Sequence, residues 1–162
     1  MYRSHFYELV EDEHEPLVWL VRSPRPYDGA SEVRAEVDAL VRCFKPRHRA
    51  YGIVVDMRDA PPRNDPGFEA AMRQLRFAVG RAFERVVVLV ATASGEMQVT
   101  RLHREGHFVY HVTRDPEEAH GLATGRASRP ESGFHGRVSR ASDRPKTACP
   151  PGRRARHPPR ET

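Results

Sequence analysis

The amino-acid sequence predicts an α/β fold. An N-terminal β-hairpin leads into alternating helices and strands, in the order β-β-α-β-α-β-α-β-α, around a mixed and mostly parallel sheet. Three observations carry this. "YGIVVDM" (51–57) and "RVVVLVA" (85–91) are short, continuous apolar runs, the pattern of strands buried on both faces. The segments between such runs repeat their apolar residues with helical period, and strands separated by helices imply parallel crossovers. The chain also opens with two short segments rich in aromatic and β-branched residues, joined by a polar turn.

Each element has its own reason. "HFYELVE" and "PLVWLVR" are the two hairpin strands, with "DEHE" and Pro16 as the turn between them. Trp19 reads as core or sheet-face packing. "SPRPYDG" is a loop, because two prolines exclude a helix. In residues 31–44, Val33, Val37, Leu40, Val41 and Phe44 share one helical face, with Ser31 as the expected N-cap and Lys45–Pro46 as the stop.

The following helix has the strongest start signal: Asp65 as N-cap, Pro66 at the first helical position and Glu69 in the first turn. Its apolar face is Phe68, Ala71, Met72, Leu75, Val79, Ala82 and Phe83. Residues 95–105 form a short helix with Met97 and Leu102 as its expected core anchors. "HFVYHV" (107–112) alternates as a last strand. Asp115 and Pro116 then repeat the cap-plus-proline start of a final helix.

Charge divides the chain near Gly121. Residues 1–120 hold 17 Lys+Arg against 19 Asp+Glu, and residues 121–162 hold 10 against 3, so the net +5 belongs to the C-terminal segment. That segment is rich in Arg, Pro, Ser and Gly and has one Phe as its sole aromatic. It offers too little apolar surface to offset its ordering entropy. The expected organisation is one α/β domain over residues 1–123 and a disordered basic tail over 124–162. A basic tail without interleaved aromatics gives no specific nucleic-acid signal. Of the 27 basic residues 25 are Arg, a bias compatible with GC-rich coding and with a read-through extension.

Cys43 and Cys149 have no metal-ligand spacing, which fits a reducing compartment. The N-terminus "MYRSHFYELVEDEHE" lacks an apolar signal core, and no apolar run approaches the about 18 residues of a membrane span. The expected location is cytoplasmic.

"FYELVEDEHEPLVWLVRSPRP", "GIVVDMRDAPPRNDPGFEAAM" and "FERVVVLVATASGEMQVTRL" together resemble the STAS superfamily, and within it the SpoIIAA-like bacterial proteins related to anti-sigma-factor antagonists. The resemblance covers about residues 5–120. It implies a non-catalytic regulatory or protein-interaction domain without a cofactor. In the antagonist branch, a Ser or Thr near the start of the helix after the central loop is phosphorylated. Here no Ser or Thr stands between Asp56 and Thr92, so that switch does not carry over. The expected partner-docking loop comprises Asp56, Arg58, Asp59, Arg63, Asn64 and Asp65, clustered at a strand end and a helix start. Its partner is a protein, with a small ligand as the other possibility.

Two alternatives stand beside this reading. "LVEDE" and "IVVDMRDAP" are similar to the acidic pair and phosphoacceptor strand of two-component receivers, in which Asp12, Glu13 and Asp56 would hold Mg²⁺ near Thr92, with Arg114 in the place of a Lys. The prolines around "LVWLVR" and the exchange of Lys for Arg argue against it. The other alternative is a lipid or nucleotide pocket between sheet and helices.

Further constellations are weaker. His103, His107 and His111 are spaced by four with Glu105 among them, but Gly106 ends the helix and no metal site is expected. Asp56 and Asp59 could form an acid–base pair, yet Arg58 and Arg63 beside them favour a solvated ion-pair loop. Gly95 at a helix start is a weak anion-binding signal. No GxSxG, Walker A, GxGxxG or HExxH motif is present, so no catalytic residue is assigned.

Overall fold

The computed structural model of the chain describes residues 1–63, 65–104 and 109–127, with side chains for all of these except 102–104. They fall within one compact unit, Met1–Pro130. Of the expected tail, 124–162, residues 128 onwards lie outside the described residues.

The expected order is present, with one short strand added at the front. Strands β1 (Tyr2–Arg3), β2 (Tyr7–Glu11) and β3 (Leu17–Arg22) pair antiparallel. Helix α1 (Ala30–Cys43), a 3-10 turn (Pro46–Ala50), β4 (Gly52–Asp56), α2 (Pro66–Ala82), β5 (Arg85–Leu89), α3 (Ala93–Arg104), β6 (His111–Thr113) and α4 (Pro116–Thr124) follow. The six strands stand in sequence order, and β3 to β6 run parallel. The hairpin turn is held by Asp12, whose carboxylate accepts the backbone N–H groups of His14 (2.8 Å) and Glu15 (3.0 Å).

Alternation along the strands feeds two cores. Leu9, Val18, Leu20, Ile53 and Val86 pack under α1 and α2, together with Val33, Val37, Leu40, Leu75 and Val79. Leu17, Val54, Val87 and Leu89 pack under α4 against Ala119, Leu122 and Ala123, with Trp19 half-buried at the margin. The second contact is unusually close. A Cβ on Gly52 would lie 2.0 Å from the carbonyl oxygen of Ala123, so only glycine lets α4 rest on β4. Packing continues to Ala127, beside the second core, so the expected domain limit at residue 123 falls within α4.

Several local expectations are corrected. Helix α1 begins at Ala30 with Gly29 as its cap residue, not Ser31; Glu32 in the first turn accepts the Asp28 N–H instead (2.8 Å). The last strand is His111–Thr113, shifted from the expected 107–112; Val109 is 78% exposed and lies before it. Asp65 and Asp115 do cap their helices, accepting the N–H groups of Phe68 (3.0 Å) and Glu117 (2.8 Å).

Buried polar groups tie the hairpin to the helices. Glu36 of α1 accepts hydrogen bonds from Tyr2 (3.0 Å) and Ser4 (2.6 Å). The Arg22 guanidinium is almost fully buried and donates to the carbonyls of Phe6 (3.1 Å), Ser23 (2.6 Å) and Arg25 (2.6 Å), over the Tyr27 ring. Burial pushes the neighbouring Tyr7 hydroxyl up to about 12, so it stays neutral.

At the end of the sheet where β3 and β4 begin, Glu11 clasps the 3-10 turn. It pairs with Lys45 (2.5 Å) and Arg47, and its carboxylate lies 3.3 Å from Nε2 of the fully buried His48. His48 Nδ1 accepts the Lys45 backbone N–H (3.1 Å), so the imidazole is neutral with its proton on Nε2. The Lys45 ammonium above all draws the Glu11 carboxyl down from 4.5 to about 2, while burial lowers His48 from 6.5. Both shifts favour the fold at neutral pH. The His48 contribution is present above 6.5 and is lost as pH falls through the lowered folded value; the Glu11 contribution is present above 4.5 and is lost toward about 2. Urea unfolding across this range should show wild type losing more stability on acidification below 4.5 than Glu11→Gln does. Parallel losses in the two proteins would remove Glu11 from the acid response.

Candidate functional site

Strand β4 delivers its carboxyl end into the loop 57–65, and α2 starts from that loop. Asp56, the last strand residue, is buried and clamped by its neighbour: Arg58 Nε and Nη2 donate to its two oxygens at 3.0 and 2.7 Å, and the Arg58 backbone N–H adds a third bond at 3.1 Å. This two-pronged contact raises the Arg58 pKa further. Asp59 is exposed. Arg63 pairs with Asp65, donates to the Tyr27 carbonyl (2.9 Å) and lies over the Phe68 ring. Arg63 first, then the Phe68 N–H, hold the Asp65 carboxyl below its ordinary value. Asn64 lies outside the described residues.

The ion-pair reading of this loop therefore holds for Asp56 with Arg58 and for Arg63 with Asp65. The Asp56 carboxylate is engaged by Arg58. The receiver cluster is not assembled. Glu11 pairs with Val18 and Val21 with Asp56, which sets Asp12 and Glu13 at the opposite end of the strands from Asp56, about 10 Å or more away. Thr92 instead accepts the Gly95 N–H (3.1 Å) at the start of α3, and Arg114 pairs with Glu96 (3.3 Å). Of the histidine set, His111 is in β6, while the His103 side chain and His107 are outside the described residues; no group of three or more metal-binding side chains occurs among the described residues. No helix among them is long and apolar enough to cross a membrane.

Behind the loop lies a cavity of about 480 Å³ between the sheet, α2 and α3, a location of the kind named in the pocket alternative. Its floor is Leu20, Val55, Val86, Val88 and Val90; α2 supplies Phe68, Met72, Leu75 and Val79; Gln98, Val99 and Tyr110 close the far side. Pro61, Pro62, Arg58 and Arg63 of the loop form its rim. Val55 faces the cavity and Asp56, the next residue, does not.

Among the described residues, α3 lines the cavity with few apolar side chains. Of the two expected anchors, Met97 is 70% exposed and the Leu102 side chain lies outside the described residues. Small or polar Gly95 and Gln98, with Val99, line the cavity from α3, and Gly80 of α2 lines it as well. The signal was present as a mismatch: β5 is apolar from Val86 to Leu89, whereas α3 carries few apolar residues to cover it.

No family model matches the chain, and neither a curated protein nor a solved structure is significantly similar to it. The fold and the site together define an α/β domain with a mixed six-stranded sheet and an apolar cavity whose mouth is the loop after β4.

Proposed function

We propose that this protein is a non-catalytic binding module that takes a small, largely apolar ligand in the cavity and offers the loop 57–65 to a protein partner. The observation that carries the reading is the position of that loop: the segment expected to dock a partner is also the rim of an apolar cavity large enough for a small molecule. A ligand in the cavity would touch Arg58, Arg63 and the prolines, and so alter the surface a partner meets.

A STAS-like, SpoIIAA-like bacterial architecture is part of the same proposal. It is supported by the antiparallel opening, the strands β3 to β6 in sequence order, and the capped helix directly after the central loop. A cytoplasmic setting also belongs to it, supported by the unpaired thiol of Cys43.

Nile red, a neutral apolar dye, tests the cavity in the full chain. Its fluorescence should rise saturably at one site per chain. Val88→Phe, which places a ring in the cavity, should abolish the rise and keep the wild-type circular dichroism. A dye that does not bind, or that binds Val88→Phe equally well, would sink the reading.

A further inference from the structure

We infer that the ligand is a single-chain amphiphile with a monoanionic head, a fatty carboxylate, whose chain fills the cavity and whose head lies against Arg63 and Arg101. This rests on the proposed binding function. A second depression, of about 450 Å³, adjoins the cavity and shares Pro62, Arg63, Ser94 and Gln98 with it. Its remaining lining is Met97 and Arg101. Cavity and depression thus lie side by side, an apolar interior next to a polar hollow.

The two halves differ in chemistry as the two ends of an amphiphile do. The interior is lined mainly by Val, Leu, Met and Phe, with the paired Glu69 and Arg76 and the Tyr110 ring also in its wall, and its apolar part suits a hydrocarbon chain. The depression is lined by two arginines, a hydroxyl and an amide, with no carboxylate in its lining among the described residues. Arg63 already shares its charge with Asp65, whereas Arg101 makes no ion pair among the described residues. Among the described residues one cation of the depression is thus left uncompensated, which matches a head of one negative charge. Met97, exposed on α3 one turn before Arg101, covers the chain where it leaves the cavity.

The test competes decanoic acid, decanol and decylamine against Nile red on the full chain at neutral pH, where the acid is ionised and the amine protonated. Decanoate should displace the dye at about tenfold lower concentration than decanol, and decylamine should be the weakest. Arg101→Gln is exposed and leaves the cavity wall untouched. It should keep dye binding and bring decanoate and decanol to within about threefold of each other. If Nile red binds but the three compounds compete equally, or none competes, the anionic head is refuted while the cavity stands. If decanoate keeps its advantage in Arg101→Gln, the head is not at Arg101. If the dye itself does not bind, the underlying binding function fails and this inference with it.

Discussion

Gly52→Ala should destabilise the fold by about 3 kcal/mol, at the upper end of overpacking costs. The added methyl would meet backbone, the Ala123 carbonyl at 2.0 Å, and not the end of a side chain that could rotate away. Relief requires α4 to lift from β4, which opens the contact of Ala119, Leu122 and Ala123 with Leu17, Val54 and Val87. Arg85, which donates to the same carbonyl (2.8 Å), would lose its partner as well. Urea denaturation measures the cost. A loss below about 1 kcal/mol, the typical effect of an arbitrary substitution, would mean that α4 is not seated so closely.

Arg22→Ala should cost a similar amount, about 3 kcal/mol, by a different mechanism. The guanidinium satisfies the carbonyls of Phe6, Ser23 and Arg25 at once, inside a cage formed by Phe6, Tyr7 and Tyr27. Truncation leaves acceptors without their donor and a void where the planar group stood. Arg22→Lys should recover only part of the loss, because an ammonium on a single stem cannot span carbonyls that the guanidinium reaches with two nitrogens. Equal stability of the Lys and wild-type proteins would show that charge alone matters there. The effect should also reach the cavity mouth, since the Tyr27 carbonyl is a partner of Arg63.

What could be read from the sequence depended on whether a signal was local. The strands at 52–56 and 85–89 announced themselves by continuous apolar runs, and α2 by its Asp65–Pro66 start, because these patterns are set within a few residues. The loop after β4 was singled out for its charges and prolines. Its relation to a cavity was not legible, because an unfilled space depends on how α2, α3 and β5 sit together. Met97 failed for the same reason: an apolar residue on a helix is a core candidate until the neighbouring surface is known. Arg22 and His48 gave no sign of burial, since their partners are backbone carbonyls and groups distant in sequence. Gly52 likewise read as one residue of an apolar strand, although it is the point where α4 touches the sheet.

The sheet ends in two very short strands, Tyr2–Arg3 on one side and His111–Thr113 on the other. Long exposed borders invite a strand from another molecule, the first step toward ordered aggregates. Here each border offers only a few backbone groups for such pairing. Association through sheet extension is thereby disfavoured, even though the central strands Ile53–Val55 and Val86–Val88 have the composition that aggregates readily once uncovered.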